Sequence, residues 1–307
     1  MKTQTRIKSL SLTVLLLIFA SISVAQNQRT IRILAIGNSF SVDAVENYLY
    51  ELGEAAGVNL IIGNANIGGC SLERHRNNSV SGAADYQYMK IVNGTKTLKK
   101  KSTLEYCLTD EPWDYISFQQ VSQNSGLYDT YYPFLTELAA YVKQKALNPK
   151  VTYMLHRTWA YAQNSTHKGF ANYNNKQLTM YRAIVKTTNK VKKSTKDIAF
   201  IIPSGTAIQN ARTSALGDNF CRDGFHLDLK IGRYVAACTW FEKITGINVV
   251  GNTATPEGLT AFEIAVAQNA AHFAVKKPDN VTSMKKFVLR PEKEIALQDM
   301  FVEAIND

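Results

Sequence analysis

The chain has 307 residues, of which 45% are hydrophobic and 20% are charged. This length and composition exclude a disordered protein and suit one large domain or two ordinary domains with a packed core. Much of the formal net charge of +10 lies in lysine-rich stretches such as Lys99–Lys101 and Lys190–Lys196. We interpret these stretches as solvated faces, with attraction to an anionic polymer as the alternative. No helix-turn-helix, zinc-finger or aromatic-basic strand pattern accompanies the charge, so nucleic-acid binding is not expected.

The N-terminal 25 residues have the pattern of a signal peptide. The cations Lys2, Arg6 and Lys8 precede an apolar stretch from Leu10 to Ala20, and Ser23-Val24-Ala25 forms a cleavage site before Gln26. The apolar core is about a dozen residues long, whereas a membrane-spanning helix needs roughly 20. We therefore expect a periplasmic or secreted protein with no membrane insertion after cleavage.

Five apolar runs in the following sequence predict strands. They are Ile31–Ile36, Val58–Ile62, Tyr115–Gln119, Val151–Leu155 and Ile198–Ile202. Amphipathic segments between and after them predict helices at Ala44–Ala56, Pro133–Ala146, Tyr173–Lys193 and Leu229–Thr245. Strands that are apolar nearly throughout and that alternate with helices are typical of a parallel sheet covered on both faces.

The rest of the chain shows weaker patterns. Residues Ala83–Ser102 are polar and are predicted to be an irregular insertion over the active-site edge or a surface excursion. The periodicity also weakens after Lys277. We therefore predict one α/β domain over residues 26–280, with residues 281–307 as a C-terminal appendage of the same domain.

The segment Gly37-Asn38-Ser39-Phe40 directly follows the first predicted strand. Ligands bind beyond the carboxyl ends of parallel strands, so this position places the Ser39 hydroxyl at the expected binding edge. The ordinary role of a serine between a strand and a helix is an N-cap. That role is compatible with a nucleophile, because the helix N-terminus stabilises developing negative charge.

A base and a carboxylate occur together in Asp223-Gly224-Phe225-His226. Among the five histidines, His226 is the best candidate to accept the Ser39 proton. Asp223 would orient the imidazole and stabilise its charged form. Asp228 could replace Asp223, but it is also well placed to cap the next helix.

Two loops offer donors for an oxyanion. Asn64–Cys70 contains the pair Gly68-Gly69, and the Gly69 N–H is a natural donor together with that of Ser39. After the third predicted strand, Gln119–Asn124 presents several amides, of which Gln120 and Asn124 are the two candidates for a side-chain donor.

These three blocks resemble those of the SGNH hydrolase superfamily, the relatives of GDSL lipases and esterases, and in particular a bacterial secreted subgroup. Gly37–Phe40 resembles the first block, Asn64–Ser71 the second, and Asp223–His226 the last. The third block, Gln120–Asn124, departs from the Gly-x-Asn-Asp that is usual in the superfamily. The resemblance implies a flavodoxin-like three-layer α/β/α sandwich with a five-stranded parallel sheet, an acyl-serine intermediate and no cofactor.

The residues around these blocks favour a sugar ester as substrate. Trp159 and Tyr161 follow the fourth predicted strand and could pack on a pyranose face, although core packing is the alternative. Asn38, His75 and His156 are further candidates for substrate contact. We therefore expect a carbohydrate esterase that removes acyl groups, most simply O-acetyl, from a glycan or another small ester.

Two other functions remain open at this level. A lipase or lysophospholipase would need a broad apolar channel, whereas the loops are rich in Asn, Ser, Gly and Tyr. A glycan-binding protein that has lost catalysis is compatible with the altered third block. His167 is expected on a surface loop and His272 in a structural role.

No metal site is expected, since the histidines and cysteines lack ligand spacing. Cys70, Cys107, Cys221 and Cys238 could form disulfides or remain free, and the sequence does not choose between these states. The oligomeric state is likewise not predicted.

Overall fold

The computed structural model describes residues 29–287. The predicted signal peptide and most of the predicted C-terminal appendage lie outside these residues. The strands are β1 (Arg29–Gly37), β2 (Val58–Asn66), β3 (Tyr86–Val92), β4 (Thr95–Ser102), β5 (Tyr115–Phe118), β6 (Thr152–His156) and β7 (Ile198–Ile202).

Nine α-helices occur within the described residues. They are α1 (Ser39–Val45), α2 (Leu49–Ala55), α3 (Leu72–Ser81), α4 (Leu104–Thr109), α5 (Phe134–Lys145), α6 (Gln177–Ser194), α7 (Ser204–Ala211), α8 (Ile231–Thr245) and α9 (Ala261–Lys276). Short 3₁₀ helices lie at Ser122–Asn124, Tyr128–Tyr131 and Lys168–Tyr173. None of the helices in residues 29–287 is long and apolar enough to cross a membrane.

The strands form one seven-stranded sheet in the order β4-β3-β2-β1-β5-β6-β7. Strands β2, β1, β5, β6 and β7 pair in parallel, as the apolar runs predicted. Strands β3 and β4 add an antiparallel extension at the β2 edge, so the sheet has two more strands than predicted and is mixed.

The extension lies in Ala83–Ser102, which was wrongly predicted to be irregular. Its two strands are joined by the two-residue turn Asn93-Gly94, with φ of 49° and 72°. Positive φ at both turn residues is typical of a type I′ hairpin, for which Asn-Gly is the favoured pair. Strand β4 is exposed over seven of its eight residues and carries four lysines, which discourage pairing with another chain at this edge.

Helices cover both faces of the sheet, giving the predicted three-layer α/β/α arrangement. One apolar core joins alternate β1 residues such as Ile33 and Ala35 to α1, α2, α7, α8 and α9. The other core joins Leu34 and Ile36 to α3, α4 and α5. Because both faces are buried, β1 is apolar nearly throughout.

The sheet order places the end of β1 at a special position. β1 pairs with β2 on one side and with β5 on the other, so the chain changes direction across the sheet there. Ligand sites of open α/β sheets lie at such a switch point, beyond the carboxyl ends of the strands. The turn from β1 into α1 therefore defines the candidate site.

Candidate active site

Ser39 is the first residue of α1 and directly follows β1 through Gly37 and Asn38. Asn38 is the N-cap, and its Oδ1 accepts a hydrogen bond of 3.0 Å from Phe40 N–H. Gly37 permits a close approach, since a Cβ there would lie 2.7 Å from Ser41 Oγ. The local sequence therefore fixes the position of the Ser39 hydroxyl at the start of the helix.

His226 and Asp223 form a chain of hydrogen bonds with Ser39. His226 Nε2 lies 2.8 Å from Ser39 Oγ, and His226 Nδ1 lies 2.6 Å from Asp223 Oδ2. Because a carboxylate only accepts, Nδ1 carries the proton of the neutral ring, and Nε2 is free to accept the serine proton. This is the geometry of a nucleophile, a base and an orienting acid.

Asp223 also holds the backbone of its own loop. Its Oδ1 accepts hydrogen bonds from the N–H groups of Phe225 at 3.1 Å and His226 at 2.7 Å. Partial burial would raise the pKa of Asp223, but the hydrogen bonds from the His226 ring and these backbone groups outweigh burial and lower the pKa. The carboxylate thus stays ionised beside the imidazole.

The base loop, Arg222–His226, is closed at its ends. Arg222 N–H donates to His226 O at 2.9 Å, and Cys221 and Leu227 form an antiparallel bridge. Gly224 has φ of +86°, and a Cβ there would lie 2.9 Å from the Ser165 Cα. The turn that brings Asp223 and His226 together therefore requires glycine.

Asp43 joins the base loop to the nucleophile helix. This carboxylate on α1 is buried and accepts Leu227 N–H at 2.9 Å, directly after His226. It also pairs with Arg222 Nη1 at 3.1 Å and with Arg233 Nε at 2.8 Å, which lies on α8. No sequence motif marked Asp43, because its role depends on contacts that are 179 to 190 residues apart.

A pocket of about 320 Å³ opens beside Ser39. Its lining comes from five segments of the chain and consists of Asn38, Ser39, Phe40, Gly68, Gly69, Val121, Ser122, Gln123, His167, Phe225 and His226. Within residues 29–287, the N–H groups of Ser39 and Gly69 make no hydrogen bond. Both predicted backbone donors thus line the pocket with unused N–H groups.

The two predicted side-chain donors lie elsewhere. Gln120 is buried, its Nε2 donates to Thr130 O at 2.8 Å, and its Oε1 accepts from Leu72 N–H and Val121 N–H. These contacts use the amide in holding loops together, so Gln120 does not reach the pocket. Asn124, at the end of a 3₁₀ helix, is also outside the lining.

Gln123, from the same amide-rich segment, lines the pocket instead. Its backbone oxygen accepts from Tyr173 Oη at 3.0 Å and Asn172 Nδ2 at 3.2 Å, which anchors the residue. Its side-chain Nε2 makes no hydrogen bond within residues 29–287. The composition of the segment predicted an amide at the site, but only the path of the backbone shows which amide lines the pocket.

Of the histidines predicted to contact substrate, both His75 and His156 are buried away from the pocket. His75 belongs to α3, and its Nδ1 lies 3.0 Å from Oη of Tyr86 on β3. Burial lowers the pKa of each ring to about 3, so both are neutral at physiological pH.

His156 supports the site from beneath. Its Nδ1–H donates to Gln119 Oε1 at 2.8 Å, and Gln119 Nε2 donates to Asn38 Oδ1 at 2.7 Å. Asn38 Nδ2 then donates to Cys70 O at 3.0 Å, beside Gly69. This buried network ties the nucleophile turn to the glycine loop, so His156 and Gln119 act by positioning.

Trp159 and Tyr161 are fully buried, and the structure places them behind the pocket, where they cannot stack on a sugar. Trp159 stacks on Phe40 at a centroid distance of 4.4 Å, and its Nε1 donates to Phe225 O at 2.8 Å. Tyr161 Oη lies 2.7 Å from Ser122 Oγ. Both aromatics therefore pack the walls of the pocket, the alternative considered for them.

The four cysteines are free thiols in the structure. Burial raises the pKa of Cys70 to about 12 and that of Cys221 to about 11, so both are neutral. Within residues 29–287, no group of three or more His, Cys, Asp or Glu side chains is arranged to hold a metal ion.

Comparison with known proteins identifies the family of this chain. A domain of unknown function, DUF4886, matches residues 32–274. The crystal structure of a DUF4886 family protein from Bacteroides uniformis is 53% identical, covers 83% of this chain and 98% of its own, and superposes with a TM-score of 0.81. The chain belongs to the DUF4886 family. Among curated proteins, none matches this DUF4886 chain.

Solved structures similar to this DUF4886 chain at lower identity include a putative SGNH hydrolase and an esterase. One is a putative SGNH hydrolase from Slackia heliotrinireducens, with 16% identity, a TM-score of 0.46, and coverage of 70% of this chain and 98% of the other. Another is a catalytic mutant of an acetylxylan esterase from Geobacillus stearothermophilus, with 12% identity, a TM-score of 0.44, and coverage of 74% and 97%.

Proposed function

We propose that this protein is a serine hydrolase of carboxylic esters. The observation that carries the proposal is the continuous chain from Ser39 Oγ to His226 at 2.8 Å and from His226 to Asp223 at 2.6 Å. Ser39 and His226 line a pocket that also contains the unpaired backbone N–H groups of Ser39 and Gly69. An activated hydroxyl next to preorganised donors is what acyl transfer requires.

The proposed reaction has two steps. Ser39 Oγ attacks the ester carbon while His226 Nε2 takes the hydroxyl proton, and the carbonyl electrons move onto oxygen. The tetrahedral intermediate then collapses, the alcohol leaves with the proton from His226, and an acyl-Ser39 remains. Water attacks the acyl-enzyme by the same route and releases the acid and free Ser39. Asp223 keeps the imidazole in the Nδ1–H tautomer throughout and stabilises its charged form.

The oxyanion would be bound by the N–H groups of Ser39 and Gly69, with the Gln123 amide as the side-chain donor. Ser39 N–H belongs to the first turn of α1, where the helix dipole adds positive potential. Removing one such donor costs about 10²- to 10³-fold in kcat in other hydrolases. The three donors come from β1–α1, β2–α3 and the segment after β5, which the sheet brings to one edge.

For the substrate, we propose a short acyl group, most simply acetyl, on a carbohydrate or a related small alcohol. The pocket of about 320 Å³ is at the small end for ligand sites. Its lining mixes glycines and amides with Phe40 and Phe225. We further propose that the protein acts outside the cytoplasm, on the support of the signal-peptide pattern in residues 1–25.

The test is hydrolysis of 4-nitrophenyl acetate, butyrate and octanoate by the mature protein. We expect activity on acetate to exceed that on octanoate, and Ser39→Ala to lower kcat/KM by about four orders of magnitude or more. Ser122→Ala is the matched control, because this hydroxyl lines the same pocket but contacts Tyr161 rather than a base. Undiminished hydrolysis by folded Ser39→Ala protein would refute the proposal, and a preference for octanoate would refute the short acyl group.

A further inference from the structure

His167 lines the pocket, although the sequence placed it on a surface loop. It caps the 3₁₀ helix Lys168–Tyr173, and its Nδ1 accepts a hydrogen bond of 3.0 Å from Gly169 N–H. A neutral imidazole that accepts at Nδ1 must carry its proton at Nε2. That Nε2–H makes no hydrogen bond within residues 29–287 and is not buried, so this residue of the pocket lining carries a donor without a protein partner.

The pKa of this ring lies below its usual value. Burial and the neighbouring His226 lower the pKa of His167 and outweigh Asp223, which raises it. The neutral form of the ring therefore predominates at neutral pH. It offers one N–H donor of fixed tautomer and does not compete with His226 for the serine proton.

His167 lies on the side of the site where the alcohol must leave. The rings of His167 and Phe225 are 4.9 Å apart, and those of Phe225 and His226 are 4.2 Å apart. His226 must protonate the departing oxygen, so the alcohol part of an ester lies next to this aromatic row. The backbone oxyanion donors Ser39 N–H and Gly69 N–H belong to other segments of the lining, whereas the third proposed donor, Gln123, adjoins the His167 turn at Gly169.

We propose that His167 is a substrate-binding residue whose Nε2–H donates a hydrogen bond to an oxygen of the alcohol part, adjacent to the ester oxygen. This inference rests on the proposed ester hydrolysis and specifies the leaving group. The preferred substrates are then esters of polyols or sugars, in which a hydroxyl neighbours the esterified oxygen, rather than esters of simple alkyl alcohols. A site with an unpaired N–H donor disfavours a substrate analogue that lacks the hydroxyl acceptor, because the donor then remains without a hydrogen bond.

The probes are 2-hydroxyethyl acetate and propyl acetate, which share the acyl group and have nearly the same size. They differ by a hydroxyl in place of a methyl group, so the ratio of their kcat/KM values reports the contact to that hydroxyl. One neutral hydrogen bond corresponds to a change of about three- to tenfold in this ratio. The acetate released is measured for the wild type and for each variant.

Two variants separate substrate binding from the loop structure. His167→Asn keeps an oxygen near the Nδ1 position to accept Gly169 N–H, but it removes the donor at Nε2. His167→Gln loses that cap, but it can place an amide N–H near the Nε2 position. We expect His167→Asn to lower the ratio about three- to tenfold, because the loss on 2-hydroxyethyl acetate exceeds that on propyl acetate, and we expect a smaller decrease in the ratio for His167→Gln.

The outcomes distinguish this inference from the proposed function. A ratio that changes less than twofold in His167→Asn, or an equal loss on both probes, would overturn the role of His167 while hydrolysis through Ser39 stands. If His167→Asn retains a higher ratio than His167→Gln, His167 serves only the structure of its loop, and the inference is overturned. Failure of the wild type on both probes, or hydrolysis that survives Ser39→Ala, would overturn the proposed function and this inference with it.

Discussion

Replacing Asp43 by asparagine should both destabilise the fold and loosen the catalytic geometry. The side chain of Asp43 is 1% exposed, and it pairs with Arg222 and Arg233, whose side chains are 33% and 17% exposed. The amide has nearly the same shape, but it loses the charge and turns a donor toward a guanidinium. Breaking a buried ion pair in this way costs about 3 to 5 kcal/mol. The partial exposure of both arginines places the expected loss at the low end, about 3 kcal/mol.

Asp43→Asn should also lower the rate of catalysis, because Asp43 holds the end of the base loop. Asp43 accepts Leu227 N–H at 2.9 Å, one residue after His226, so the weakened bond lets the base move relative to Ser39. Misplacement by about 1 Å costs on the order of a hundredfold in rate. We expect kcat for 4-nitrophenyl acetate to fall about ten- to a hundredfold and KM to stay within about twofold, because the pocket walls are unchanged.

The assays are urea unfolding followed by far-ultraviolet circular dichroism and steady-state kinetics under folding conditions. Asp85→Asn is the matched control, since this carboxylate pairs with Arg74 at 3.3 Å but both side chains are about half exposed, at 46% and 49%. The control should lose no more than about 0.5 kcal/mol and keep its activity. An Asp43→Asn protein as stable and as active as Asp85→Asn would refute the reasoning.

Two further predictions concern acid stability and the base loop. The folded-state pKa values of His75 and His156, about 3, lie below the unfolded value of about 6.5, so the unfolded chain binds more protons between these values and stability falls as pH falls. Together, the two rings should lower the free energy of unfolding by about 3 kcal/mol as the pH falls from 6.5 to 5. In urea unfolding at a series of pH values, His156→Gln should reduce the slope of this free energy against pH by one proton. An unchanged slope would contradict the neutral buried state. Gly224→Ala should lower kcat at least tenfold because its Cβ would meet Ser165, whereas Gly251→Ala, with φ of +89° and open space, should cost about 1 kcal/mol in stability and no activity. Equal activity of the two glycine variants in the 4-nitrophenyl acetate assay would show that the Ser165 contact does not hold the base.

The parallel strands and the two segments that meet at Ser39 and His226 could be predicted because their signals are local. Apolar runs such as that of β1 are continuous where a strand is covered on both faces. Gly37–Phe40 and Asp223–His226 each combine their residue types within four positions. The structure then brings these two segments together across 187 residues, a distance that no local pattern encodes.

The elements that were missed lack such a local signal or have one that was outweighed. Strand β4 has no apolar alternation, because an edge strand is exposed and lysines suit it. Its turn pair Asn93-Gly94 was the available signal for a hairpin.

The remaining wrong predictions concern which individual side chains are buried and which reach the pocket. Trp159 and Tyr161 follow a strand, as binding residues often do, but both are fully buried, Trp159 against Phe40 and Tyr161 against Phe170 and Phe225. His167 reaches the pocket only because Gly169 N–H and Phe225 fix its ring. Such placements depend on contacts between distant segments, so composition and spacing could not separate a wall residue from a binding residue.

The most direct test of the central claim is the covalent labelling of Ser39 by a fluorophosphonate, with the modified peptide mapped by mass spectrometry. Attack by the activated hydroxyl forms a phosphorus–oxygen bond and expels fluoride, and the serine proton passes to His226. We predict one label, on Ser39 and not on Ser41 or Ser122, formed at least a hundredfold more slowly in His226→Ala. No label on Ser39, or the same rate of labelling without His226, would contradict the account.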